Sequence, residues 1–321
     1  MRVLTGIQPS GTIHIGNYFG AMKPILDLSK QEESETFIFI ADLHAMTTVN
    51  DPEILRQATL NIALDYLSLG LDPDRVTFYR QSDVVGHSDL AWILSNLAPM
   101  GLLERAHSYK DKVAKGIDAN VGLFYYPILM AADILLYDVD LVPVGKDQKQ
   151  HLEITRDLAQ KFNSNFSEVF KLPDGLISET TAIIPGLDGQ KMSKSYGNTI
   201  EVFADPKAMK KKIMSIQTDS AGVDEPKEHQ GNVIYELSKF FMNEEELAQL
   251  RADFINGGVG YGDMKKRLLE NVINYFAPHK AKRDELAKKP EQIEQILTKG
   301  AQKAQKIASH KLADVRKVVG L

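Results

Sequence analysis

Two short stretches hold residues whose types and spacing suit phosphate chemistry. In the first, Gln8-Pro9-Ser10-Gly11-Thr12-Ile13-His14-Ile15-Gly16-Asn17, a glycine-containing turn separates an apolar run at 3–7 from a helical spacing of Phe19, Met22, Ile25, Leu26 and Leu28. A strand, a turn and a helix N-terminus make an anion site, because unpaired backbone N–H groups and the positive end of the helix dipole face one point. Gly16 admits a ligand close to the backbone, and His14 and Asn17 add side-chain donors. Alone, this string is equally compatible with a turn whose histidine is satisfied locally. In the second stretch, Lys191-Met192-Ser193-Lys194-Ser195, two lysines and two hydroxyls stand in a loop opened by Pro185-Gly186-Leu187-Asp188-Gly189 and closed by Tyr196-Gly197-Asn198. Lysine is a compact point charge with three donors, suited to a polyphosphate whose charge moves as a bond breaks. Such a loop is expected to close during a reaction, as lids do.

A third feature is an acid on an apolar helix face. Met130, Asp133, Ile134 and Tyr137 fall at i, i+3, i+4 and i+7. An acid there is expensive unless partnered. It either caps or pairs within the core, or accepts from a donor-only ligand, against which Met130, Val142 and Val144 can pack.

The elements that must position these residues alternate. Apolar runs at 37–41, 76–79 and 141–144 predict further strands, the first of them covered on both faces, with helices over 51–70, 86–106 and 121–138 between them. Asp51 reads as an N-cap and Pro52 as the first helical residue. Gly145-Lys146-Asp147-Gln148-Lys149-Gln150-His151 opens another helix. This alternation predicts an α/β, doubly wound, Rossmann-like parallel sheet with ligands at the carboxyl ends of the strands, where His14, His44 and Asp147 are expected. From 205 onward the pattern is helical, over 207–216, 232–242, 244–254, 262–276, 290–309 and 313–319, with breaks at 218–222 and 256–260. The expected domains are a catalytic one over 1–200 and an appended α-helical one over 201–321, whose last helices either stay there or pack back on the first.

Composition sets outer limits. The 321 residues are 43% hydrophobic and 25% charged, as in globular proteins. With no cysteine there are no disulfides or thiolate metal sites, which accords with a reducing, cytoplasmic compartment. The chain opens on a strand pattern, so no signal peptide is expected, and no apolar run is long enough to span a membrane. Residues 1–200 carry 17 Lys+Arg against 25 Asp+Glu, and residues 201–321 carry 21 against 18. A net charge of −5 still permits RNA binding where cations cluster, with candidates Lys207/Lys210/Lys211/Lys212, Lys265/Lys266/Arg267 and Lys280/Lys282/Arg283.

Taken as a pair, the two stretches resemble the signature motifs of the class I aminoacyl-tRNA synthetases. Further strings, Gly6-Ile7-Gln8-Pro9-Ser10-Gly11, Gly16-Asn17-Tyr18-Phe19-Gly20-Ala21, residues 126–137, residues 142–151 and Thr218-Asp219-Ser220, are similar to those of the tryptophan-specific bacterial members. The resemblance implies activation of L-tryptophan by ATP with its Mg²⁺, release of pyrophosphate, and transfer to the 3′ end of tRNA(Trp). It implies a homodimer, a tRNA-anticodon role for the helical domain, and no membrane or DNA partner. His14, Gly16, Asn17, Lys191 and Lys194 match catalytic positions. Gln8, Pro9, Ser10, Gly145, Lys146, Asp147, Ile184, Met192, Ser193 and Ser195 match positions around ATP. Asp133 matches the family's indole-reading aspartate, Tyr126, Gln148 and Gln8 the α-amino end, and His44 a pocket residue. Lys112, or equally Lys110, resembles a further phosphate-side lysine. Many relatives carry an acid in place of Lys146 and a lysine in place of Gln190. The alternatives are a tyrosine-specific synthetase, a small nucleotidylyltransferase and a catalytically silent RNA-binding paralogue.

Overall fold

The computed structural model describes residues 1–9, 11–106, 120–145, 148–177 and 184–321. Two compact units interleave along the chain: residues 1–11, 27–179 and 286–321 in one, and residues 12–26 and 180–285 in the other. The division expected at 200 follows chain order, whereas these units exchange segments at both ends of the chain.

The first unit is built on five parallel strands, β1 (Arg2–Ile7), β2 (Glu35–Ile40), β3 (Val76–Arg80), β4 (Leu141–Val144) and β5 (Asp174–Ile177), in the order β3-β2-β1-β4-β5. This is the doubly wound order expected from the alternating pattern. Five of the six residues of β2 are buried, the signature of a central parallel strand covered on both faces. β5 was not expected, because Asp-Gly-Leu-Ile is short and its first three residues are exposed at the sheet edge. Helices α3 (Asp42–Ala45), α4 (Pro52–Ser68), α5 (Gly86–Ser95), α6 (Met100–Glu104), α7 (Val121–Leu135) and α8 (Lys149–Asn165) connect the strands. Asp51 Oδ1 accepts from the N–H groups of Glu53 (2.8 Å) and Ile54 (3.0 Å), so the cap and the proline set the start of α4 as predicted. The helix expected over 86–106 is two, because its chain bends at 96–99 before Pro99, which cannot donate to the turn before it.

The last helix, α13 (Pro290–Val319), packs on β3 in this same unit. It runs unbroken where a break was expected near 310, since Ser309-His310-Lys311-Leu312 contains neither glycine nor proline. Its buried face is Ile293, Leu297, Gly300, Ala301, Ala304, Ala308 and Val315, mostly small residues that let helix and sheet approach closely. A Cβ on Gly300 would lie 1.8 Å from the carbonyl oxygen of Phe78. Gly300→Ala is therefore expected to destabilise the protein by about 3 kcal/mol, checked by urea denaturation, because backbone rather than a flexible side chain must move.

In the second unit, α1 (Ile15–Asn17) passes through a π-helical turn (Tyr18–Met22) into α2 (Lys23–Leu28), whose last two residues belong to the first unit and whose Pro24 lacks the N–H that regular helix pairing needs. Rings of Tyr18 and Phe19 pack with Phe240, Phe241, Tyr275 and Phe276. The other helices are α9 (Pro206–Met214), α10 (Val233–Ser238), α11 (Glu244–Asn256) and α12 (Tyr261–Leu286). α10 is shorter and α12 longer than the spacing predicted. No helix among the described residues is long and apolar enough to cross a membrane.

Candidate active site

Residues 12–17 of the first signature stretch and the whole of the second lie in the second unit, and the backbone sews them together. Ile15 N–H donates to Ile200 O and Val202 N–H to Ile13 O, each at 2.9 Å, with His14 opposite Glu201 in an isolated bridge. His14 was expected at the end of β1. It stands instead seven residues beyond Ile7, held by this bridge. The His14 ring caps α1: Nδ1 accepts from Asn17 N–H at 3.2 Å, while Asn17 Oδ1 accepts from His14 N–H at 3.4 Å. Because Nδ1 is an acceptor, the ring proton is on Nε2, a neutral donor. Burial, then the charge of Lys194, lowers the pKa of His14 to about 4.

Gly16 leaves no room for a side chain. A Cβ there would come within 3.0 Å of His14 Nδ1 and 3.2 Å of Met192 Cβ. Gly16 N–H points to Met192 Sδ at 3.3 Å, so the methionine of Lys191-Met192-Ser193-Lys194-Ser195 seats that loop on the histidine turn. Asn198, buried, organises the loop: Oδ1 accepts from Ser193 N–H (2.8 Å), and Nδ2 donates to Asp188 Oδ1 (2.7 Å) and Lys191 O (3.2 Å). Ile184 O takes Met192 N–H at 2.9 Å, and Ser193 Oγ takes Ser195 N–H at 3.3 Å. Partial desolvation lowers the pKa of Lys194, against the opposing pull of Glu201. The ensemble is a neutral N–H donor, a helix N-terminus and ammonium groups on one scaffold, chemistry suited to phosphates.

His14 yields a prediction. Its folded pKa of about 4 lies below its unfolded value of 6.5, so the unfolded chain binds the extra proton between these values. Its contribution to stability is full above pH 6.5 and is lost as pH falls through 4. Ring titration by NMR is expected to give a midpoint near 4, rising in Lys194→Ala as the nearby charge is removed.

The second group lies in the first unit, around Asp133. This carboxylate, on α7 and 1% exposed, has Oδ1 against Gln81 Nε2 (2.7 Å) and His87 Nδ1 (2.7 Å), and Oδ2 against His44 Nε2 (2.8 Å). Burial opposes its ionisation, but the bonds from His44 and His87 prevail and hold its pKa at about 2. Asp42 at the head of α3 accepts from Ser82 N–H at 3.0 Å, tying the helix that carries His44 to the turn after β3 that carries Gln81. A second chain of bonds runs beside it, with Tyr126 Oη 2.7 Å from His151 Nε2 and His151 Nδ1 3.0 Å from Gln148 Oε1. The edge of Tyr126 packs on His44, ring centroids 6.0 Å apart.

Of the sequence-predicted residues, His14, Gly16, Asn17, Ile184, Lys191, Met192, Ser193, Lys194 and Ser195 belong to the second unit, all on the signature turn or its loop. Gln8, Pro9, His44, Tyr126, Met130, Asp133, Val142, Val144, Gly145 and Gln148 belong to the first. Ser10, Lys146, Asp147, Lys110 and Lys112 lie outside the described residues. Sequence reasoning missed Gln81, His87 and His151 as partners of this group. His151 stood inside a recognised string, while Gln81 and His87 are isolated polar residues without a motif.

A parallel sheet of this order, with a glycine turn locked to a lysine loop, defines a nucleotide-binding α/β protein. The family model described as tRNA synthetases class I (W and Y) matches residues 1–277. A tryptophan–tRNA ligase of Fusobacterium nucleatum is 52% identical over 323 residues, covering 100% of this chain and 98% of that one, and one of Campylobacter jejuni is 52% identical with full coverage of both. A crystal structure of tryptophanyl-tRNA synthetase from Campylobacter jejuni, complexed with ADP and tryptophan, superposes with a TM-score of 0.96 at 51% identity, covering 100% of each chain. The chain belongs to the class I tRNA synthetases of the tryptophan and tyrosine family.

Proposed function

We propose that this protein joins L-tryptophan to tRNA(Trp) in the cytoplasm, in two steps. Tryptophan's carboxylate attacks the α-phosphorus of ATP, pyrophosphate leaves, and the ribose hydroxyl at the tRNA 3′ end then takes the acyl group from the adenylate. The similarity along the whole chain to a protein solved with ADP and tryptophan carries this reading. The chemistry of the two residue groups supports it. Indole N–H is donor-only, and Asp133 is an ionised acceptor with three donors on a carboxylate that can take about four. His14 Nε2–H, the N-terminus of α1, Lys191 and Lys194 meet the charge that develops on the phosphates, and Mg²⁺ enters bound to ATP. No side chain acts as a covalent nucleophile; catalysis is positioning and electrostatics.

The tRNA part of the proposal rests on the second unit's cations. Lys266 pairs with Asp263, Arg267 with Asp253 and Lys280 with Asp284, while Lys265 Nζ donates to Ile216 O at 2.7 Å. Lys207, Lys210 and Lys211 on α9 are exposed with no carboxylate partner among the described residues, as a phosphate-binding face requires. Exposed Trp92, Met100 and Val121, on α5, α6 and the helix α7 against which both pack, support a homodimer that would cover them. Incubation with Mg·ATP, labelled tryptophan and bacterial tRNA is expected to give acid-precipitable label, and labelled tyrosine none. Label from tyrosine alone would contradict the proposal.

A further inference from the structure

The three donors on Asp133 are unevenly shared. Two of them, Gln81 Nε2 and His87 Nδ1, converge on Oδ1 at 2.7 Å each, whereas Oδ2 takes only His44 Nε2 at 2.8 Å. Gln81 and His87 are both 0% exposed. Each is also fixed in orientation. Nδ1–H of His87 must donate to the carboxylate, which leaves Nε2 to accept from Tyr137 Oη at 2.9 Å. The His87 ring is held among Phe39, Tyr79 and Tyr137, with centroids 5.6–6.1 Å apart. Gln81 must point its amide nitrogen at Asp133, and its Oε1 is consequently a buried acceptor with no partner among the described residues. A side chain chosen for packing would not leave that oxygen bare. Its presence marks a position where donation to Oδ1 matters more than local satisfaction.

We propose that Gln81 and His87 are positioning residues for substrate selection: by filling Oδ1 they stop the carboxylate from turning and leave Oδ2 as the one acceptor for an indole N–H. This rests on the assignment of tryptophan as substrate. A ligand without the N–H then leaves Oδ2 short of a donor, and the clamped carboxylate cannot turn to recover one. Loosening the clamp lets the carboxylate redistribute its donors, so the penalty against such a ligand falls.

The test uses ATP–pyrophosphate exchange by the full chain with tryptophan and with 3-benzothienylalanine, in which sulfur replaces the ring N–H. Gln81→Met keeps the volume and removes both the donor and the bare oxygen. It is expected to lower the tryptophan-to-analogue ratio of kcat/KM about 10-fold, mainly through a lower KM for the analogue, with KM for ATP unchanged and the melting temperature not reduced. Tyr137→Phe, a single-atom deletion that frees the His87 tautomer, is expected to move the ratio the same way by a smaller factor and serves should Gln81→Met fold poorly. An unchanged ratio in both variants, with lower stability or equal loss for both substrates, would overturn the proposal and leave these residues as structural supports. Absence of tryptophan exchange by the unaltered protein would overturn the substrate assignment itself.

Discussion

Asp133→Asn is expected to lower kcat/KM for tryptophan in the exchange reaction by about 10⁴–10⁵-fold, the range by which a site built around one buried hydrogen bond discriminates. The substitution keeps the shape of the side chain but exchanges an acceptor for a donor. His44 Nε2, His87 Nδ1 and Gln81 Nε2 would then face an amide that cannot accept from all three. Stability falls as well, by about 3–5 kcal/mol, as when one partner of a buried charged pair is removed. The pH dependence follows from its pKa of about 2 in the folded chain against 3.8 in the unfolded one. Asp133 contributes fully above pH 3.8, and that contribution is lost as pH falls through 2. Urea denaturation at stepwise pH is therefore expected to show the difference between the two proteins narrowing below pH 4.

Lys194→Ala is expected to slow adenylate formation by about 10²–10³-fold, comparable to removing one preorganised donor at a developing charge. Tryptophan affinity is expected to stay within about twofold, because an interaction made only with the reacting phosphates lowers the rate without weakening ground-state binding. Single-turnover kinetics and equilibrium binding separate the two quantities. Equal losses in both would mean that Lys194 supports the amino-acid pocket instead of the phosphates. The loop scaffold is expected to persist in the variant, since Met192, Ser193 and Asn198 rather than Lys194 anchor it.

Much of this was legible in the chain. β1 to β4 announce themselves as apolar runs, and Asp51-Pro52 marks the start of α4 through its own cap. The histidine turn and the lysine loop carry enough unusual residues in short compass to be paired across the sequence. Other features left no local trace. His44, the pair Gln81 and His87, and Asp133 come from three separated segments, and only the parallel register of β2 and β3, with α7 packed beside α5, brings them to one carboxylate. Gln81 and His87 are of types ordinary for turns and helix starts, so no spacing rule selects them, whereas Asp133 stands out as an acid on an apolar helix face and His44 as a strand-end residue. The interleaving of units was hidden for a similar reason. Residues 12–26 and 286–321 cross from one chain half to the other without a glycine-rich linker or composition shift to show it. The joined helix α13 was missed because the three polar residues Ser309-His310-Lys311 imitate a loop, although nothing in them breaks a helix.

Selection of tryptophan by the Asp133 group for reaction with ATP is tested most directly by ATP–pyrophosphate exchange with each of the twenty amino acids in turn, without tRNA. Exchange with tryptophan alone is expected; exchange with tyrosine in its place, or with none of the twenty, would contradict that role of Asp133.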